Sequence, residues 1–301
     1  MSKNVVLESK NVYKKLGTRV IIKDLSLKLY EGDILGFIGA NGAGKTTSIK
    51  LLLGLQTLSG GTVSINGYDI KKNFEKAISN VGAIIENPDL YMYLTGYENL
   101  SIVSKIYNIP KERLEEVIEI VGLKKSIHDK VKKYSLGMRE RLGIAQAILH
   151  KPKVLILDEP MNGLDPEGIK DLKYLLTHLS KEENMAILIS SHILSELESI
   201  CNRVCIISQG SIIKDETMDA IKTVTEKIPY ILELSNTSLD NILYQYQKLD
   251  KTHIKIKSTK EKLNNIIKTL ILNEISIYEI KKEEQTLESI FLQLSKKNYH
   301  D

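Results

Sequence analysis

Apolar and polar positions alternate near the start of this chain and cluster further on. Residues 25–29, Leu-Ser-Leu-Lys-Leu, alternate strictly, the period of a strand with one buried face, and 5–7 and 20–22 are short aliphatic runs of strand type. With the turn at Glu31-Gly32-Asp33 they predict an antiparallel β entry. Residues 34–38 form a continuous apolar run, followed by a glycine-rich loop and helix-like 46–53, the strand-loop-helix order of a parallel α/β sheet. From 87 to 133 the spacing is mainly helical, with 111–118 amphipathic, which predicts an inserted helical lobe. Buried-strand runs return at 154–157 and 186–189 with helix-forming sequence between them, as βαβ units require. Beyond about Asp219 the glycines stop, and strands at 231–234, 254–257 and 275–280 around a helix at 261–272 predict a small α+β domain. The expected division is 1–220 and 221–301, joined by a short connection.

Composition narrows the class. A chain of 301 residues, 42% of them hydrophobic, can form one large domain with a core of its own plus an appendage. Its 42 Lys+Arg against 38 Asp+Glu leave +4, too mild to call for nucleic acid, and no such partner is expected. Cys201 and Cys205 are too few for a disulfide framework and lack neighbours at zinc-ligand spacing, which fits a reducing cytoplasm. The opening residues lack the apolar core of a signal peptide, and no segment approaches the roughly 18 apolar residues of a membrane helix. If a membrane is involved, another chain is expected to span it.

The chemistry concentrates in two places. Gly39-Ala40-Asn41-Gly42-Ala43-Gly44-Lys45-Thr46 lies between the strand at 34–38 and the helix after it. Glycines there let backbone N–H groups and the helix N-terminus wrap an anion, so Gly39, Asn41, Gly42, Gly44 and the following Thr47 are expected to hold phosphates. Lys45 is expected to span the β and γ phosphates, with the Thr46 hydroxyl on Mg²⁺. The run 154–157 ends in Asp158-Glu159-Pro160, where Asp158 would hold the Mg²⁺ shell through water and Glu159 would polarise the attacking water.

In this order the motifs resemble the ABC ATPase family over roughly the first 220 residues. The resemblance implies a P-loop NTPase fold with an antiparallel β subdomain and an inserted helical subdomain, binding ATP and Mg²⁺. Tyr134-Ser135-Leu136-Gly137-Met138 is similar to the family signature at its Ser and second Gly, with Leu136 for the first Gly and Met138 for the usual Gln. By that likeness Ser135 and Gly137 contact the γ-phosphate held by a second copy of the chain, adding the dipole of the helix that starts there. Asn162-Gly163-Leu164-Asp165 resembles the D-loop along the dimer seam, which brings in Asp165, and His192 resembles the switch histidine that senses γ-phosphate. Separate transmembrane permease subunits are implied, with this chain on the cytoplasmic face of the membrane. Translation members of the family usually carry two cassettes and chromosome members long coiled coil; one cassette without sustained heptads favours transport.

Two departures stand out. Within Val81-Gly82-Ala83-Ile84-Ile85-Glu86-Asn87-Pro88, Glu86 replaces the Gln that in most members links Mg²⁺ to the permease, which makes it a further metal-side candidate. With Asn87-Pro88 and the Tyr-Ser-Leu-Gly-Met signature it resembles the bacitracin-export and lantibiotic-immunity ATPases, and so implies a peptide-antibiotic cargo, for resistance or self-immunity. Residues 89–97, rich in Tyr and Leu, match the region that lines the permease-accepting groove. At the adenine-stacking position stands Leu16; either Tyr13 supplies the ring, or adenine is held mainly through its phosphates. The tail resembles an accessory domain, including Thr286-Leu287-Glu288-Ser289-Ile290-Phe291.

Overall fold

The computed structural model describes residues 4–223, 228–239, 242–243 and 245–282. The chain divides into two compact units, Met1–Met218 and Asp219–Asp301. In the first, β1 (Val5–Leu16) and β2 (Arg19–Tyr30) make an antiparallel hairpin, longer than the short runs suggested. Register shifts between Ser9 and Lys15 explain the difference, because each bulge breaks the period-2 alternation by which a strand is read. Next come β3 (Ile34–Ile38), α1 (Lys45–Leu52), β4 (Gly60–Ile65), β5 (Tyr68–Asp69), α2 (Phe74–Ile78) and β6 (Val81–Ile84). The helices α3 (Gly96–Ile106), α4 (Lys111–Ile120) and α5 (Leu136–Ile148) follow, then β7 (Val154–Asp158), α6 (Pro166–Lys181), β8 (Ala186–Ser191) and α7 (Leu194–Glu198). β9 (Arg203–Ser208) and β10 (Ser211–Thr217) complete the sheet, and α8 (Met218–Thr223) begins at the unit boundary.

The ten strands lie in the order β5-β4-β1-β2-β10-β9-β3-β8-β7-β6. Pairs from β9 through β3, β8 and β7 to β6 are parallel, and every residue of β3, β7 and β8 is buried, which is why these strands read as unbroken apolar runs. The antiparallel hairpin of β9 and β10 fills the middle of the sheet, turning at Gln209 (φ 47°) and Gly210 (φ 76°). Gly210 admits no side chain: a Cβ there would lie 2.2 Å from the Ile21 carbonyl oxygen. One core cluster joins Leu25, Phe37, Ile49, Leu52, Ile156 and Leu188 across the sheet and α1.

The helical lobe is built on local signals. Thr95 caps α3 in a reciprocal box with Glu98. Arg113 of α4, buried, donates from Nη2 to the Ile148 carbonyl at 3.0 Å, satisfying the C-terminal end of α5. The helix α5 lies tightly on β6 and the loop after it. A Cβ on Gly82 would come within 2.2 Å of the Ala147 carbonyl oxygen, and one on Gly143 within 2.4 Å of Pro88 Cβ.

The second unit has an antiparallel sheet, β12 (Gln247–Lys248), β13 (His253–Ser258), β11 (Ile228–Leu234) and β14 (Ile277–Lys282), in that order, with α9 (Lys260–Leu272). Leu232, Leu234, Ile254, Ile256, Leu263 and Leu270 form its core. β14 starts two residues later than the apolar pattern suggested, because Ile275 belongs to the turn closing α9, its N–H bonded to Leu270. Residues 286–291 lie outside the described residues.

Candidate active site

The glycine-rich loop sits where β3 ends, and α1 starts at Lys45 after Gly44 at φ 108°. Its base is tied to the centre of the sheet. A Cβ on Gly39 would meet the Ile207 carbonyl oxygen at 2.7 Å, and the Gly210 N–H donates to Ala43 O at 3.1 Å. Lys45 folds back into the loop it follows: buried, it donates to Gly39 O at 2.7 Å and pairs with Glu159 Oε1 at 3.2 Å. The other Glu159 oxygen, Oε2, lies 2.6 Å from His192 Nδ1. Three elements thus converge, since Lys45 opens α1, Glu159 follows β7 and His192 follows β8.

Beside this chain of charges, Thr46 Oγ1 donates to Asp158 Oδ2 at 2.8 Å and Ser190 Oγ to Asp158 Oδ1 at 2.5 Å. Ser190 also accepts the Glu159 backbone N–H at 2.9 Å, so one side chain of β8 orients both carboxylate residues. That role was not read from the sequence; the signal was a hydroxyl at the C-terminal end of a wholly apolar strand, one position before Ser191 and two before His192. Glu159 itself takes a left-handed backbone (φ 54°), a conformation costly for a non-glycine residue and typical of functional strand ends. Partial burial by itself would raise the Glu159 pKa. The His192 hydrogen bond and the Lys45 charge overcome that and hold it below the ordinary carboxylate value.

A pocket of about 410 Å³ opens here, lined by Asn41, Gly42, Gly44, Lys45, Thr46 and Thr47 of the loop and helix start, by Glu159, Asn162 and His192, and by Ile21 of β2. Six loop and helix-start positions, Glu159 and His192 are therefore brought together, with Asp158 bonded to Thr46 just below. Ser135, Gly137 and Asp165 do not line this pocket. They stand at helix starts: Ser135 caps α5 by accepting the Met138 N–H at 3.2 Å, and Asp165 caps α6 by accepting that of Gly168 at 2.9 Å. Neither Leu16 nor Tyr13 lines the pocket; Leu16 is exposed, and the Tyr13 ring covers Gly60, where a Cβ would stand 2.0 Å from its Cε1.

Glu86 also stands outside the pocket. It has φ 69°, is 70% exposed, and pairs with Lys50 of α1 at 3.6 Å. Immediately after it, Asn87, Pro88 and Asp89 line a second groove of about 410 Å³ between β6, the end of α3 and α5, with Val103, Ile106, Tyr107 and His150 on its other walls. His150 stacks on Tyr107 at 5.0 Å and bonds to Val81 O at 3.1 Å; a carbonyl only accepts, so His150 Nε2 carries the proton. Tyr91 and Tyr93 are exposed and lie outside this groove's lining.

Residues 22–162 match the ABC transporter family model. The chain is 47% identical over 298 residues, 96% of both chains, to an uncharacterised ABC transporter ATP-binding protein, YhcH, of Bacillus subtilis. This chain belongs to the ABC transporter ATP-binding proteins. It is also 38% identical over 300 residues, 97% of both chains, to the bacitracin transport ATP-binding protein BcrA of Bacillus licheniformis. A solved ATP-binding subunit of an ABC transporter superposes with a TM-score of 0.65 at 30% identity, covering 72% of this chain and 92% of that one. The subunit is thus an ATPase that powers a separate membrane permease. Among the described residues no helix is long and apolar enough to cross a membrane.

Proposed function

We propose that this subunit hydrolyses ATP at the pocket below β3, β7 and β8, with Glu159 as general base. The observation that carries this reading is the unbroken contact from Lys45 through Glu159 to His192, alongside Thr46 and Asp158. An incoming triphosphate offers Lys45 a denser negative charge than the carboxylate does, so Lys45 moves to the β and γ phosphates and frees Glu159. Glu159 then takes a proton from water as its oxygen attacks the γ-phosphorus. The bond from that phosphorus to the β–γ bridging oxygen breaks, leaving ADP and phosphate. His192 keeps the carboxylate oriented through Oε2. Gly39, Asn41, Gly42, Gly44 and Thr47 cradle the phosphates.

A hydroxyl and a buried carboxylate already in contact are the hard oxygen donors Mg²⁺ takes, so Thr46 and Asp158 fit that ion; bound there, it would neutralise phosphate charge. Glu86, paired with Lys50, would reach the ion only by leaving that partner. Ser135 and Gly137, outside the pocket at the start of α5, complete the site across a dimer in which each copy covers the other's nucleotide, and Asp165 lines the seam. The groove beside Glu86 receives a segment of the permease, and the subunit works on the cytoplasmic face of the membrane, a reading supported by its resemblance to transport ATP-binding proteins. Resemblance to the bacitracin transport protein supports a peptide antibiotic as cargo. The test is Glu159→Gln with ATP and Mg²⁺ in gel filtration: binding retained, hydrolysis down about 10²–10⁴-fold and a trapped dimer are expected. Undiminished turnover would remove Glu159 from the base role, and a monomer even with the permease present would remove the sandwich.

A further inference from the structure

The sheet of the second unit ends on β14, the outermost strand of the order β12-β13-β11-β14. Among the described residues no strand pairs with its outer edge, and apart from half-buried Ile277 all of its residues are exposed. Such an edge is a template for another strand. Its two faces carry different chemistry. Ile280 stands opposite the core residue Leu232, on the side of the sheet that α9 covers, yet it remains 42% exposed. The helix α9, which contacts β14, ends with Ile271 and Leu272 exposed as well. On the opposite face Glu279 is directly across from Glu233 of β11, a like-charge pair that destabilises the sheet as it stands.

We propose that β14 pairs antiparallel with β14 of a second copy of this chain about a two-fold axis at Ile280, joining the two four-stranded sheets into one. Charge selects both the occupant and the register. An axis through Glu279 or Lys281 sets like charges face to face, and one through Tyr278 sets Glu279 against Ile277. Through Ile280 it sets Glu279 of each copy against Lys281 of the other, and Ile280 against itself. The like-charge pair of Glu233 and Glu279 then gains a cation in the same row, and the two Ile280 side chains cover each other. Six residues of edge bury far less than the roughly 1,200 Å² of a stable interface, so free subunits separate on dilution. Two copies already held on one permease pair more tightly, through a contact that nucleotide release does not break. Only that last consequence rests on the transport reading above.

Mild oxidation of the full chain carrying Ile280→Cys, without nucleotide and at high protein concentration, tests this. Residues directly opposite in an antiparallel pair have Cα atoms about 4.5–5.5 Å apart, within disulfide reach, and the native Cys201 and Cys205 are buried. A covalent dimer is expected. Lys282→Cys, whose two copies stand four residues out of register and so about 13 Å apart, is expected to give little. Lys281→Glu added to Ile280→Cys is expected to cut the yield about fivefold, and Glu279→Lys added to both to restore it. Equal cross-linking through Lys282→Cys, or a yield indifferent to the charge changes, overturns the proposal. So does cross-linking that appears only in a chain ended after Lys282, since the edge then belongs to the chain's own last residues. Lys45→Ala is expected to leave the yield unchanged. A covalent dimer that requires ATP and vanishes in Lys45→Ala would be the nucleotide sandwich, which overturns the strand pairing and leaves the ATPase reading intact. Should Ile280→Cys not fold, sedimentation equilibrium of the unaltered chain against Lys281→Glu decides: association lost in the variant supports the pairing, and equal behaviour overturns it.

Discussion

Lys45 faces two anions in succession, the resident Glu159 carboxylate and an incoming phosphate, so measured affinity reports the difference between them. Lys45→Ala is expected to reduce ATP binding at least tenfold, as loss of a charge-assisted contact of about 1.5–3 kcal/mol implies, checked by calorimetric titration. Glu159→Gln removes the competitor and is expected to bind ADP, as well as ATP, more tightly than the unaltered chain; equal ADP affinities would show that the resting ion pair costs nothing to open. A second residue-scale effect concerns a buried acid. Glu140 of α5 is buried, and that burial raises its pKa from the ordinary carboxylate value to about 7. An acid whose folded pKa is raised contributes stability that is complete below about 4.5 and is lost as pH rises through about 7. Urea unfolding between pH 5 and 8.5 should therefore show the unaltered chain losing on the order of 2–3 kcal/mol relative to Glu140→Gln. Parallel curves would show that Glu140 ionises freely.

At the scale of elements, α5 begins at its cap residue Ser135 and bears with its body on Pro88 and β6, where it forms one wall of the second groove. Glycine at 82 and 143 makes that approach possible. Gly82→Ala would drive a Cβ into the Ala147 carbonyl oxygen, and a loss of about 1–3 kcal/mol is expected in urea unfolding, because backbone must move to admit it. An unchanged midpoint would mean that α5 is looser than this packing implies. Elements whose burial matches a simple period were legible from sequence: β3, β7 and β8 as apolar runs, α4 as an amphipathic helix, α9 almost to its ends. The long hairpin was read in pieces because its bulges hide the alternation, and β10 escaped because its residues are half-buried on both faces. At the site, the motif residues Asn41, Gly42, Gly44, Lys45, Thr46, Thr47, Glu159 and His192 meet at one pocket, whereas Ser135, Gly137, Asp165 and Glu86 stand outside it. Ser190 and Ile21 were not legible, because their place at the pocket arises from strands brought together only by the sheet.

For the whole molecule, the two units have separate cores, one drawn from residues between Val6 and Ile212 and the other from residues between Tyr230 and Ile277. A chain ended after Thr223 is expected to unfold in a single transition and to bind ATP, checked by calorimetry; loss of binding would give the second unit a part in the pocket. The order of the sheet has a consequence for how the protein comes into being. β9 and β10 are the last strands of the first unit to be made, yet they sit at its centre, β10 against β2 and β9 against β3. A growing chain must therefore hold two half-sheets with an open seam until nearly the whole unit has left the ribosome, a topology of long-range contacts that closes slowly. The phosphate loop is braced by Ile207 and Gly210 of that late hairpin, so a chain ended before Arg203 should bind no nucleotide. ATP then stabilises only chains whose seam has closed, and the cell's own nucleotide pool favours the finished protein over its unfinished precursors.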